Sequence, residues 1–143
     1  MTEEDTDISI EENTELPTEE NIEDYGLLKG MLYSQKKEFD LLSKKKADGQ
    51  LNPMKIKMAN RVLEPLKELL KNEKTYKFLD TLSEDEIPTN SDVVLIISQY
   101  EKAIHDFKIR HYSDYHWVTA EYVNENYEDE YYEDEDEDED EVK

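Results

Sequence analysis

The side chains that could do chemistry in this 143-residue chain are three histidines, 39 carboxylates and ten tyrosines; there is no cysteine. His105, His111 and His116 stand six and five residues apart. A metal pair on a helix needs ligands four apart on one face, and this spacing does not build one. His111 instead continues an apolar stripe and reads as the end of a helix, where its ring meets the negative end of the dipole. Lack of cysteine excludes disulfides and thiolate metal sites. The sequence contains no glycine-rich phosphate loop, no HExxH, no nucleophile elbow and no calcium loop. Carboxylates are plentiful, but a general acid needs a shielded pocket to move its pKa, and a solvated run of acids provides none. Such a run also lacks the fixed oxygen geometry of a hard-cation site. The expectation is a protein that is not an enzyme and that uses no cofactor and no metal.

The chemistry that remains is that of charge. From Glu128 to Glu141, twelve of fourteen positions are carboxylates, and the other two are Tyr131 and Tyr132. The formal charge of −22 is unevenly placed. Residues 1–24 hold eleven acids and no base, and residues 113–143 hold fifteen acids and Lys143. Between them, residues 25–112 hold sixteen bases and thirteen acids, a net of +3. An extended chain advances about 3.3 Å per residue, close to the roughly 3.4 Å between phosphates along one nucleic-acid strand. The acid run therefore matches a single strand in linear charge density, and a groove built for phosphates would attract it. Its sign argues against anionic membranes, and against nucleic acid as a partner of the whole molecule.

The expected partner is a basic protein that itself binds nucleic acid. The residues assigned to meet it are Tyr131, Tyr132, Glu133, Asp134, Glu135, Asp136, Glu137, Asp138, Glu139, Asp140 and Glu141. An aromatic window just upstream, "YSDYHWVTAEYV", supplies anchors at Tyr115, Trp117 and Tyr122, residue types that dominate interface energetics. A second reading starts from the bases Lys36, Lys37, Lys44, Lys45, Lys46, Lys55, Lys57 and Arg61. Here the core binds nucleic acid directly, and the acidic tail, with a reach of about 30 Å, competes for that face. A third is an acidic helical assembly component, such as part of a virus particle, self-associating through the Val93–His111 stripe.

The elements that must position these residues are helical. Asn21 is the expected cap of a first helix, with Asp24 at capping-box spacing. Leu28, Leu32, Gln35, Phe39 and Leu42 then recur at gaps of four and three, with Leu27 and Met31 widening the face. Gly26 and Gly30 suggest a close approach in the core or simply a weakened first turn, and Asp48-Gly49 a stop. Asn52-Pro53 starts a second helix, with Ala59, Val62, Leu66 and Leu69 on one face and Leu63 and Leu70 beside it. Pro65 interrupts this pattern and predicts a kink or restart, with helix continuing to about Thr81. Asn90, Ser91 or Asp92 caps a third helix, striped by Val93, Ile97, Tyr100, Ile104, Phe107 and His111. The fold class is all-α: a small three-helix bundle, one helix kinked at Pro65, with disordered acidic N- and C-terminal arms.

The expected boundaries are a disordered acidic arm over 1–20, a helical core over 21–112, an aromatic-rich segment over 113–127 and a disordered poly-Asp/Glu tail over 128–143. No leader peptide or membrane span is legible, and the chain is expected in the cytoplasm or nucleus rather than outside the cell.

Overall fold

The computed structural model describes residues 16–126. The tail positions Tyr131, Tyr132 and Glu133 through Glu141, and most of the N-terminal arm, lie outside the described residues. Within them the chain is predominantly helical, as expected, with α1 over Glu19–Lys45, α2 over Pro53–Leu69 and α3 over Asn90–His111. Two short strands follow, β1 at Tyr112–Ser113 and β2 at His116–Trp117, and residues 120–126 form a final helical segment. The chain divides into two compact units. One comprises Glu23–Arg110; the other comprises residues up to Ile22 together with those from His111 onward.

The unit Glu23–Arg110 is built from the apolar stripes. Tyr25, Leu28, Leu32 and Phe39 of α1 are buried, with Ile56, Ala59, Val62, Leu63 and Leu66 of α2 and Val93, Ile97, Tyr100, Ala103, Ile104 and Phe107 of α3. Tyr25 stacks on Phe107 at 5.4 Å, and burial pushes its phenol above the ordinary tyrosine range. The Val93–Phe107 stripe is thus wholly inside the chain's own core, and His111 is buried too. None of it is at the surface for a second copy to use.

Two of the three expected helix starts are displaced. In α1 the cap is Thr18, not Asn21: the Asn21 N–H donates to Thr18 Oγ1 at 3.1 Å and the Thr18 N–H to Asn21 Oδ1 at 2.9 Å. In α3 the cap is Thr89: the Asp92 N–H donates to Thr89 Oγ1 and the Thr89 N–H to Asp92 Oδ2. The bond from the Thr89 N–H, and after it the Thr89 hydroxyl, holds the Asp92 carboxyl below its ordinary range. The two starts share one device, a threonine hydroxyl answered by an amide or carboxylate three residues on. Asn52 does cap α2 as expected, accepting from the Lys55 N–H at 2.9 Å.

Other expectations are corrected by geometry. Leu27 and Met31 do not widen the α1 core face; they are exposed, and so is Leu41. Gly26 and Gly30 permit no close approach, since a Cβ at either would meet nothing within 4 Å. Gly49 does matter, though not as a left-handed cap, because no glycine here has positive φ. A Cβ there would stand 2.9 Å from Asn90 Nδ2. That amide donates to the Lys46 carbonyl at the end of α1, and the Asn90 N–H donates to the Gly49 carbonyl at 2.8 Å. The turn after α1 and the start of α3 are stitched together here, with Gln50 and Thr89 forming a single antiparallel bridge.

α2 runs unbroken through Pro65, so there is no restart, and it ends at Leu69 rather than near Thr81. Residues Lys74–Phe78 form a tighter 3-10 turn, and the chain then extends so that Leu79 and Leu82 reach the core. Asn60 holds that extended piece in register. Its Nδ2 donates to the Leu82 carbonyl at 2.8 Å, and its Oδ1 accepts from the Leu82 N–H at 2.9 Å. No other side chain of the second helix can supply both a donor and an acceptor to one backbone unit at that point. Asn60→Ala is expected to cost about 1–3 kcal/mol by leaving both Leu82 groups without partners. Urea denaturation followed by circular dichroism measures it, and a change within error of zero contradicts the clamp.

Candidate functional site

The aromatic window folds with residues 16–22 into the second unit. β1 and β2 pair antiparallel, Tyr112 opposite Trp117 and Ser113 opposite His116. The loop is the two residues Asp114 and Tyr115, both at positive φ (54° and 69°). Positive φ at both central positions marks a type I′ turn, whose twist matches that of the flanking strands. Asp114 tolerates this backbone, while tyrosine does so against its steric preference. Tyr115 is 96 % exposed, so no packing of its side chain offsets the strain.

Hydrogen bonds fix the rest of this unit. The Val118 N–H donates to the His111 carbonyl at 2.7 Å, extending the hairpin by one bond. Thr119 is buried and caps the helical segment 120–126, its Oγ1 accepting from the Tyr122 N–H at 3.0 Å. The Ala120 N–H donates to the Pro17 carbonyl at 2.9 Å. At the start of α1 the Glu19 N–H donates to Glu121 Oε2 at 2.8 Å, a carboxylate meeting the positive end of a helix dipole.

Against this frame the anchor residues separate into two kinds. Trp117 and Tyr122 are half-buried and line one cavity of about 220 Å³, together with Glu19, Ile22, Thr119 and Glu125. Tyr112 meets the Trp117 ring edge-on at 5.3 Å, and the His116 ring lies 4.2 Å from that of Tyr122. His116 is itself held, its Nδ1 3.0 Å from the Asp114 carbonyl. Tyr115 is not among the residues lining that cavity; it stands at the hairpin tip. The sequence reading picked the aromatics and missed Glu19, Ile22, Thr119 and Glu125. An available signal was "SDYH", an aspartate-led two-residue turn between alternating aromatics, which reads as a hairpin.

The basic residues sit in the other unit. Lys37, Lys44, Lys45, Lys46, Lys57 and Arg61 are exposed, and Lys36 and Lys55 are partly covered. Lys36 pairs with Glu101 at 3.2 Å, and the Lys37 ammonium lies 4.9 Å from the Tyr33 ring centroid. Lys44, Lys45, Lys46, Lys55, Lys57 and Arg61 have no carboxylate within ion-pair distance among the described residues. No cluster of histidines and carboxylates among the described residues could hold a metal ion. No helix among them is long and apolar enough to cross a membrane.

The strain at the turn makes a prediction. Tyr115→Gly should stabilise the chain by about 1 kcal/mol, because glycine takes positive φ without steric cost. Thermal melts of the two proteins decide this, and a lower melting temperature for the glycine variant would contradict the strained turn. If Tyr115 also serves as a contact, the same variant binds a basic partner more weakly while being more stable. No protein-family model matches this chain, and no curated protein or solved structure is detectably similar to it.

Proposed function

We propose that this is a non-enzymatic interaction protein whose acidic C-terminal run, anchored by Tyr115, Trp117 and Tyr122, engages a basic nucleic-acid-binding protein. The observation that carries the reading is the run itself, nine consecutive carboxylates from Glu133 to Glu141. In an extended conformation it presents the charge spacing of a phosphate backbone to any surface made to receive one. Its position in the sequence supports this: carboxylates begin at Glu128, two residues after the last described residue, and the aromatic unit holds Glu19, Glu20, Asp114, Glu121 and Glu125 and no lysine or arginine among its described residues. None of its described residues competes with an incoming basic segment. The test is competition between the chain and DNA for a labelled arginine-rich peptide.

A second reading has a specific observation in its favour. Six bases of α1, α2 and the turn between them are without an ion-pair partner among the described residues. Under this reading they bind nucleic acid, and the acidic run is their intramolecular competitor. Lysine supplies five of the six, and lysine is the poorer reader of phosphate, which ranks this reading second.

A further inference from the structure

We propose that the cavity walled by Trp117 and Tyr122 and edged by Glu19 and Glu125 receives one alkyl-cation side chain, lysine or arginine, of the basic partner; this deepens the function proposed above and rests on it. The cavity's size suits a single side chain. At about 220 Å³ it is smaller than the roughly 300–1,000 Å³ that enclose a drug-sized ligand or a nucleotide. Its chemistry selects charge. Two carboxylates and no base line it, so an anion is repelled, and a neutral apolar group would desolvate the carboxylates with nothing in return.

A cation on an aliphatic stem satisfies every part of the lining. The stem can lie along Ile22 and the ring surfaces, while the head group meets aromatic faces and carboxylates. Glu19 and Glu125 have no ion-pair partner among the described residues, so their charge is available. The walls are braced before any ligand arrives. Tyr112 supports the Trp117 ring, His116 supports the Tyr122 ring, and Thr119 holds the Tyr122 backbone. Bracing of this kind lowers the ordering cost of binding. The cavity also sits close in sequence to the acidic run, since Glu125 precedes Glu128 by three residues. A basic segment with one side chain seated here can engage carboxylates of that run with its remaining charges, so that the two contacts act together.

Trp117 is the only tryptophan in the chain, so its emission reports this cavity directly. The experiment titrates the full chain with N-acetyl-lysine methylamide, N-acetyl-arginine methylamide and, as the uncharged counterpart, N-acetyl-norleucine methylamide. Both cations are expected to give a saturable change in Trp117 emission, with norleucine at least tenfold weaker. The Glu19→Gln, Glu125→Gln double variant should weaken both cations about tenfold. Glu125→Gln alone, expected to have a smaller effect in the same direction, covers the risk that Glu19 is needed for the first turn of α1. Silence of Trp117 toward both cations would overturn the proposal, as would norleucine binding equally or glutamine variants titrating like the original chain. The function above fails separately. If the chain captures an arginine-rich peptide while the single cations leave Trp117 unchanged, the cavity is wrong and the acidic run is right. If the single cations bind but the chain does not compete with DNA, the reverse holds.

Discussion

A full-length chain with Gln and Asn in place of the Glu and Asp residues at 133–141 is expected to lose its hold on an arginine-rich peptide. The substitution keeps length and side-chain shape and removes nine charges, leaving the −22 chain at −13. Binding of a charge run of single-strand spacing is driven by release of condensed counterions, with a slope of about −0.7 in log K per log salt for each charge neutralised. If about six charges are engaged, the original chain loses on the order of 10²–10³ in affinity between roughly 50 and 200 mM salt. The neutralised chain should start about as much weaker at the low-salt end, with a salt slope shallower by about four. Fluorescence anisotropy of the labelled peptide measures both quantities. Equal affinity of the original chain at about 50 and about 500 mM salt would contradict the charge mechanism. So would equal binding by the two chains.

The same pair of proteins separates the two functional readings. Labelled single- and double-stranded nucleic acid should bind neither chain if the run acts on an outside partner. If neutralisation uncovers salt-sensitive binding of nucleic acid, the six unpaired bases are a phosphate-binding face and the run is its competitor. Charge reversal at Lys44, Lys45 and Lys46 would then abolish that binding.

The largest effect on stability is expected at Tyr100. It is fully buried in α3, and its hydroxyl donates to the Asp80 carbonyl at 3.0 Å. Burial is the main reason its phenol is held far above the ordinary range; the charges of Asp80 and Glu64 and the nearby Tyr76 add to it. The group therefore stays neutral through the physiological range and keeps donating. Tyr100→Ala empties the space of a ring and strands a backbone acceptor, which should cost about 3–5 kcal/mol. For the 88 residues of Glu23–Arg110, a typical total of about 4–13 kcal/mol makes that loss close to complete unfolding at the low end. Tyr100→Phe retains the ring and removes only the donor, so about 1–2 kcal/mol is expected. Urea denaturation of the three proteins separates packing from hydrogen bonding. A loss under 1 kcal/mol for the alanine variant would mean that the core closes over the gap, contrary to its packing.

Much of the fold was legible because helical periodicity is a local property. The stripes of α1 and α3 recur at gaps of four and three, and Leu28, Leu32, Phe39, Val93, Ile97, Tyr100, Ile104 and Phe107 are all buried. Asn52-Pro53 announced α2 because a cap followed by proline leaves few alternatives. The misread starts at Thr18 and Thr89 have a local cause too. Each is followed within three residues by asparagine or aspartate, which can cap as well as answer a cap, and sequence alone does not rank them. The aromatic anchors could be chosen by residue type. Which of them share a cavity could not.

What the sequence determined by itself is therefore the helical class, the division of charge and the carboxylate run, since each depends on residues adjacent in the chain or one turn apart. Only the tertiary structure decided the rest. It ended α2 at Leu69 and held the extended piece beyond it, where Tyr100 and Asn60 bind backbone groups at Asp80 and Leu82 from about twenty residues away. It crowded Gly49 against Asn90, while its own dihedral is one any residue can adopt. It also brought Glu19 and Ile22 beside Trp117, Tyr122 and Glu125, about a hundred residues away. Contacts of that separation depend on how several elements pack at once, so no window of sequence contains them.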